Sequence, residues 1–203
     1  MARLIGLTGG IATGKTSVAA MLAARGAVVV DADLLAREVV EPGSEGLAAV
    51  AAEFGAGVLT SDGGLDRQAL GALVFADADR RRRLEAITHP RIRSLMAERI
   101  LAALGTDAIL VVADIPLLYE TGRPQDFDGV LVAFTDAETQ LRRLRRRDGL
   151  DAAEAARRLA AQLPIEEKRR RSTWWIDNSG DLSATADQVD AWWRANVAGE
   201  ACT

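Results

Sequence analysis

The stretch "LTGGIATGKT", Leu7 to Thr16, decides how this chain is to be read. Gly9 is followed by four residues and then by Gly14, Lys15 and Thr16. Backbone N–H groups converge on a phosphate only where side chains leave room, and the start of a following helix adds its positive dipole end. Gly9, Gly10, Ala12, Thr13, Gly14 and Ser17 therefore read as a phosphate cradle, with Lys15 reaching the β- and γ-phosphates. The Thr16 hydroxyl is placed to ligate Mg²⁺. The flanks supply the required context. Arg3 to Thr8 reads as a short buried strand, and Lys15 to Arg25 as a helix with Val18, Met21 and Leu22 on one face, stopped by Gly26. "AVVVD", Ala27 to Asp31, is an apolar run of the kind found in parallel strands covered on both sides.

The rest of the chain narrows the class. Its 203 residues suffice for one α/β domain with a full core and small inserted parts. Hydrophobic residues make up 49% and charged residues 27%, as in a globular protein. A net charge of -4 gives no general attraction to nucleic acid or anionic membranes, although basic residues cluster at Arg80–Arg83, Arg142–Arg147 and Lys168–Arg171. The one cysteine, Cys202, excludes an intrachain disulfide framework and a cysteine metal site. The N-terminal apolar run is short and broken by glycines, unlike a secretory leader, and no run approaches the roughly 20 apolar residues of a membrane span. A cytoplasmic enzyme with neither nucleic-acid nor membrane partner is the expectation.

After Asp31 the pattern turns helical: Leu34–Val40, Glu45–Phe54, Arg67–Phe75, Asp77–Ile87 and Pro90–Leu104, separated by "EPGS" and "SDGGLD" turns. "DAILVVADIP" and "FDGVLVAFT" restore buried-strand character, and "WWIDN" is a last strand before a helix from Leu182 to Val197. Asp136–Arg171 is an arginine-rich helical region broken near Gly149 and Pro164. The fold class is α/β: a five-stranded parallel sheet with helical excursions after the second and fourth strands. Val189, Trp192, Trp193 and Val197 recur at helical spacing and form a packing stripe.

The loop alone does not identify the acceptor of a phosphoryl group. A GTPase would carry an Asn-Lys-x-Asp guanine reader, and the two asparagines, Asn178 and Asn196, stand in "NSGD" and "NVAG". A mechanical ATPase would end a strand in Asp-Glu, where this chain has "DIP". A kinase needs a carboxylate beside the loop to take a hydroxyl proton, and the "DAD" of Asp31–Asp33 follows the second strand, whose end belongs there. Asp33 is either that base or the cap of the next helix, and the roles are compatible. The residues of "LRRLRRRD" cannot share one helical face, so most are solvated while one or two can turn toward a transferring phosphoryl group. His89, in "THPRIR", reads as a turn residue before a helix opened by Pro90.

Beyond the loop, "VVDAD", "AREVVEPG", "DGGLDRQALGALVF", "LEAITHPRIR", "DIPLLYE", "ETQLRRLRRRD" and "IDNSG" resemble, in order, the segments of the dephospho-coenzyme A kinase family. The resemblance spans nearly the whole chain. It implies a nucleoside-monophosphate-kinase-like core (1–33, 106–140 and 172–203), a helical substrate-binding part (34–105) and a lid (141–171). It also implies ATP-dependent phosphorylation, with Mg²⁺, of the ribose 3′-hydroxyl of dephospho-coenzyme A. By position, Asp33 would be the base with Thr8 beside it. His89, Arg93, Pro116, Leu117, Leu118 and Glu120 would line the acceptor pocket. Arg143 would contact phosphates, Arg147 would be a second lid residue, and Asn178 and Gly180 would lie near the adenine. Ser172 and Thr173 depart from an Ala-Asp pair common in that family, which bears on the lid hinge. A monomer or weak homo-oligomer is expected. The rivals are a kinase for another small acceptor, such as a nucleoside monophosphate or shikimate, and a non-enzymatic nucleotide-binding module.

Overall fold

The computed structural model describes residues 2–75 and 77–198, so Cys202 lies outside the described residues. Five strands, β1 (Arg3–Gly9), β2 (Val28–Asp31), β3 (Leu110–Asp114), β4 (Gly129–Phe134) and β5 (Trp174–Asp177), form one parallel sheet in the order β2-β3-β1-β4-β5. In the central strand Arg3 pairs with Leu110 and Leu7 with Asp114 on one side, and Gly9 pairs with Ala133 on the other. Parallel strands bury both faces, and β4 shows it residue by residue. Leu131 and Ala133 enter a core with Ile5, Leu7, Val18, Leu22, Val189 and Trp192, whereas Val130, Val132 and Phe134 join Leu118, Tyr119 and Ile165 on the opposite face.

The helices are α1 (Lys15–Ala23), α2 (Ala32–Glu38), α3 (Glu45–Phe54), α4 (Arg67–Phe75), α5 (Ala78–Leu104), α6 (Ala137–Asp148), α7 (Ala152–Ala160), α8 (Ile165–Arg171) and α9 (Leu182–Asn196). The tryptophan stripe is packing: Val189 and Trp192 are buried in α9, and Trp192 meets Trp174 edge-on with ring centroids 5.5 Å apart.

Two compact units emerge. One comprises residues 1–30 and 102–203 and holds the sheet with its flanking helices; the other comprises residues 31–101. The second has its own core, in which Val39, Leu47, Val50, Val58 and Leu70 are buried against Leu84, Ile87, Ile92 and Leu95.

One expectation fails here. Pro90 opens no helix, because α5 runs unbroken through it from Ala78 to Leu104. A proline inside a helix removes one backbone hydrogen bond and crowds the carbonyl four residues earlier, at a cost of about 3 kcal/mol. The surrounding turns are reinforced: the Thr88 hydroxyl donates to the Leu84 carbonyl at 2.9 Å and the Arg91 guanidinium to the Ile87 carbonyl at 2.7 Å. Leu84, Ile87, Ile92 and Leu95, packed on the unit's core from both sides of Pro90, keep the helix in register.

Candidate functional site

The carboxyl ends of parallel strands gather loops at one edge of a sheet. Here those loops follow Gly9, Asp114, Phe134 and Asp177. The loop after β1 is pinned from several directions. Thr13 is fully buried, and its hydroxyl donates to the Gly10 carbonyl at 2.9 Å. The Ile11 N–H donates to Gln162 Oε1 at 2.8 Å, and the Ile11 carbonyl accepts from Gln140 Nε2 at 2.7 Å. Asn178 Nδ2 donates to the Thr13 carbonyl at 2.7 Å, while Asn178 Oδ1 accepts from the Thr185 hydroxyl at 2.8 Å. Gly14 has φ 82°, and a β-carbon there would collide with Asn178 Nδ2. Ala12, at φ 60°, is the one non-glycine residue with positive φ among the described residues, a strained position of the kind that collects at ligand clamps. Gly14 also begins α1 without any side-chain cap, which leaves the helix start open to an anion. Thr16, in the first turn, is exposed, and Ser17 beside it is half-buried.

On the β3 side Lys15 Nζ forms an ion pair with Asp114, whose side chain is 2% exposed. The loop after Asp114 is tied to the same edge, for the Thr8 hydroxyl donates to the Pro116 carbonyl at 3.0 Å. Glu120 lies 2.8 Å from Lys168 Nζ and also accepts from the Leu163 N–H at 3.0 Å. Leu117 is exposed, whereas Leu118 is fully buried in the core beneath Gly6, so its side chain packs rather than facing solvent. On α6 the arginine run divides as helical geometry requires. Arg142, Arg145, Arg146 and Arg147 are exposed, and Arg143 turns inward to donate to the Asn178 carbonyl at 2.8 Å. Arg147 is bound to Asp148 at 2.7 Å, and that hydrogen bond raises the guanidinium above its ordinary pKa and holds the Asp148 carboxyl below its own.

This glycine loop occurs in a chain whose residues 3–184 match the model of the CoaE family, described as dephospho-CoA kinase. The chain belongs to the dephospho-CoA kinase family. A dephospho-CoA kinase of Anaeromyxobacter dehalogenans is 54% identical over 188 residues, covering 93% of this chain and 89% of that protein. The solved dephospho-CoA kinase from Campylobacter jejuni has a TM-score of 0.76 at 26% identity, covering 98% of this chain and all of that one. A shikimate kinase from Acinetobacter baumannii shares the fold, with a TM-score of 0.53 at 18% identity over 96% of this chain and 93% of that one.

Against that family background, the residues of the second unit stand as follows. Asp33 is exposed in the first turn of α2. It does not cap that helix, contrary to the reading from position. Asp31 does, accepting from the Asp33 and Leu34 N–H groups at 2.7 and 3.3 Å. The Asp33 carboxylate is thus left out of the cap. His89 and Arg93 are exposed on α5, within the helix rather than at a corner.

In the first unit, the structure gives Asn178 a task the sequence did not suggest: its buried amide bridges Thr13 and Thr185. Gly180, two residues on, is exposed. Ser172 and Thr173 hold their segment firmly. The Ser172 hydroxyl donates to the Arg169 carbonyl at 2.7 Å, and Thr173 exchanges two hydrogen bonds with Val130 at 3.0 and 3.1 Å. Four groups at this edge escaped the sequence reading: Asp114, Gln140, Gln162 and Lys168. Asp114 was visible as an acid ending an apolar run, whereas Gln140, Gln162 and Lys168 reach the loop only through tertiary packing.

Proposed function

We propose that this chain transfers the γ-phosphoryl group of ATP to the ribose 3′-hydroxyl of dephospho-coenzyme A, producing coenzyme A and ADP as the last step of coenzyme A synthesis. The observation that carries this reading is the family match over residues 3–184, on a chain whose glycine loop is pinned open for phosphate. The loop N–H groups and Lys15 hold the β- and γ-phosphates. The acceptor oxygen attacks phosphorus as the bond to the β-phosphate oxygen breaks, and Asp33 takes the hydroxyl proton. Arg143, whose guanidinium donates to the Asn178 carbonyl, contacts the phosphates, and Arg147 joins it when the lid at 141–171 closes and excludes water. His89 and Arg93 in the second unit, and Pro116, Leu117, Leu118 and Glu120 in the first, are assigned to the acceptor, and Asn178 and Gly180 to the adenine.

Mg²⁺ prefers hard oxygen ligands and keeps waters and substrate phosphates in its shell. The exposed Thr16 hydroxyl and the Asp114 carboxylate fit that preference without forming a closed cage. When bound, the ion neutralises charge on the β- and γ-phosphate oxygens. The enzyme works as a cytoplasmic monomer or weak homo-oligomer, with no nucleic-acid or membrane partner; among the described residues no helix is long and apolar enough to cross a membrane.

Incubation with ATP, Mg²⁺ and dephospho-coenzyme A, read by mass, tests the reading, and absence of a phosphorylated product rejects it. Asp33→Asn is expected to leave ATP binding near normal and to lower turnover by roughly a hundredfold or more. Near-normal turnover in that variant would remove Asp33 from the role of base.

A further inference from the structure

Lysine is rare in this chain: of 25 lysine and arginine residues only Lys15 and Lys168 are lysines. Both meet the phosphate loop. Lys168 stands in α8 among arginines, yet it is 0% exposed, while Arg170 and Arg171 beside it lie at the surface. An ammonium group has three N–H donors, and three oxygens surround this one, two accepting hydrogen bonds and one in an ion pair. They are the Gly9 carbonyl at 3.1 Å, the Pro116 carbonyl at 3.1 Å and Glu120 Oε1 at 2.8 Å. Gly9 is the first glycine of the phosphate loop, and Pro116 and Glu120 bound the loop assigned above to the acceptor.

We propose that Lys168 is a positioning residue, which fixes the separation between the phosphate loop and the Pro116–Glu120 loop and so aligns the γ-phosphate with the acceptor hydroxyl. The inference rests on the function proposed above. Each loop has its own further support: Gln140, Gln162 and Asn178 hold the phosphate loop, and Thr8 holds Pro116. Loss of Lys168 therefore leaves each substrate a place to bind and leaves the Thr8–Pro116 hydrogen bond as the remaining side-chain tie between the two places. A misplacement of about 1 Å between reacting groups costs on the order of a hundredfold in rate. The residue type follows from the same geometry. A compact ammonium fits three converging oxygens, whereas a planar guanidinium with five donors is larger and fork-shaped. Solvated positions in this chain carry arginine, and this enclosed one carries lysine.

The test compares Lys168→Met and Lys168→Arg with the parent enzyme for kcat, for KM toward ATP and dephospho-coenzyme A, and for thermal midpoint. In both variants kcat is expected to fall at least about tenfold while both KM values stay within about threefold. A residue that only supports the fold would lower the midpoint and leave kcat per folded molecule unchanged. A folded Lys168→Met enzyme with kcat within about twofold of the parent overturns the proposal, and so does full activity in Lys168→Arg. Should Lys168→Met not fold, Lys168→Gln, neutral and shorter than lysine, takes its place, and the same kcat criterion applies. Glu120→Gln alone separates the two readings. An unchanged acceptor KM there, beside a kcat loss in Lys168→Met, overturns the pocket assignment of Glu120 and supports a clamp acting through Gly9 and Pro116. A parent enzyme that makes no product overturns the proposed function and the clamp together.

Discussion

Tyr119, the only tyrosine of the chain, is buried in the core beside Leu118, Val130 and Phe134, and its hydroxyl has no protein partner among the described residues. Burial disfavours the phenolate and pushes the group up to about 12 from its ordinary 10.0. A raised pKa means that the neutral form contributes stability below the ordinary value, and that this contribution is lost as pH rises through the folded value. Alkaline titration of the folded protein, followed at the tyrosinate band, is expected to show no ionisation near pH 10. A midpoint near the ordinary value would contradict the burial. Replacing Tyr119 by Phe removes a buried unpaired hydroxyl, so its thermal midpoint should equal or exceed that of the parent. At this scale the loop was legible because its glycines answer a local demand. What stayed hidden was what presses on them: the collision awaiting a side chain at Gly14 comes from Asn178, a residue of the loop after β5.

Helix ends supply the next level of prediction. Asp136 caps α6 by accepting from the Thr139 N–H at 2.8 Å, and this hydrogen bond, with a smaller contribution from the Thr139 hydroxyl, holds its pKa below the ordinary 3.8. Stability from a lowered carboxyl is present above the unfolded value and is lost as pH falls through the folded one. Asp136→Ala should cost about 1 kcal/mol near neutral pH, as loss of a cap does. Asp136→Asn should preserve the cap and flatten this part of the acid-unfolding curve; an equal acid dependence in parent and Asn variant would show that the cap is not the titrating element. In α5, Pro90→Ala restores an N–H for the Ala86 carbonyl and should stabilise the second unit by up to about 3 kcal/mol, measured by denaturant unfolding. The same helix shows the limit of reading elements from sequence. Proline marks a boundary only when the apolar residues on both sides do not share one core, and Ile87 and Ile92 do share one. The passing of the cap from Asp33 to Asp31 has a similar origin, since either residue suits a cap and a shift of two positions in the helix start decides which one serves.

For the molecule as a whole, the parallel sheet was legible because apolar runs covered on both faces leave few alternatives, and the strand boundaries moved by only a residue or two. The candidate site was legible where a motif is contiguous, and opaque where α6, α8 and the loop after β5 supply its supports. Those supports make a prediction for global stability. If the loop is built in the folded state alone, ATP with Mg²⁺ at one hundred times its dissociation constant should stabilise the protein by about 2.7 kcal/mol. Lys15→Ala should abolish most of that shift at the same concentration, and an unchanged shift would place nucleotide binding elsewhere.

The position of β1 at the middle of the sheet also bears on how the protein is made. Arg3 must pair with Leu110 and Ile5 with Gly129, so β1 is made about a hundred residues before either of its partners. At about 5–20 residues per second that delay lasts several seconds. Throughout it, an apolar strand with two open edges and a glycine loop lacking its clamps is exposed to other nascent chains. Residues 31–101 are contiguous and can collapse on their own core in the meantime. β1 and the glycine loop that follows it are therefore the part of the chain most in need of shielding during synthesis.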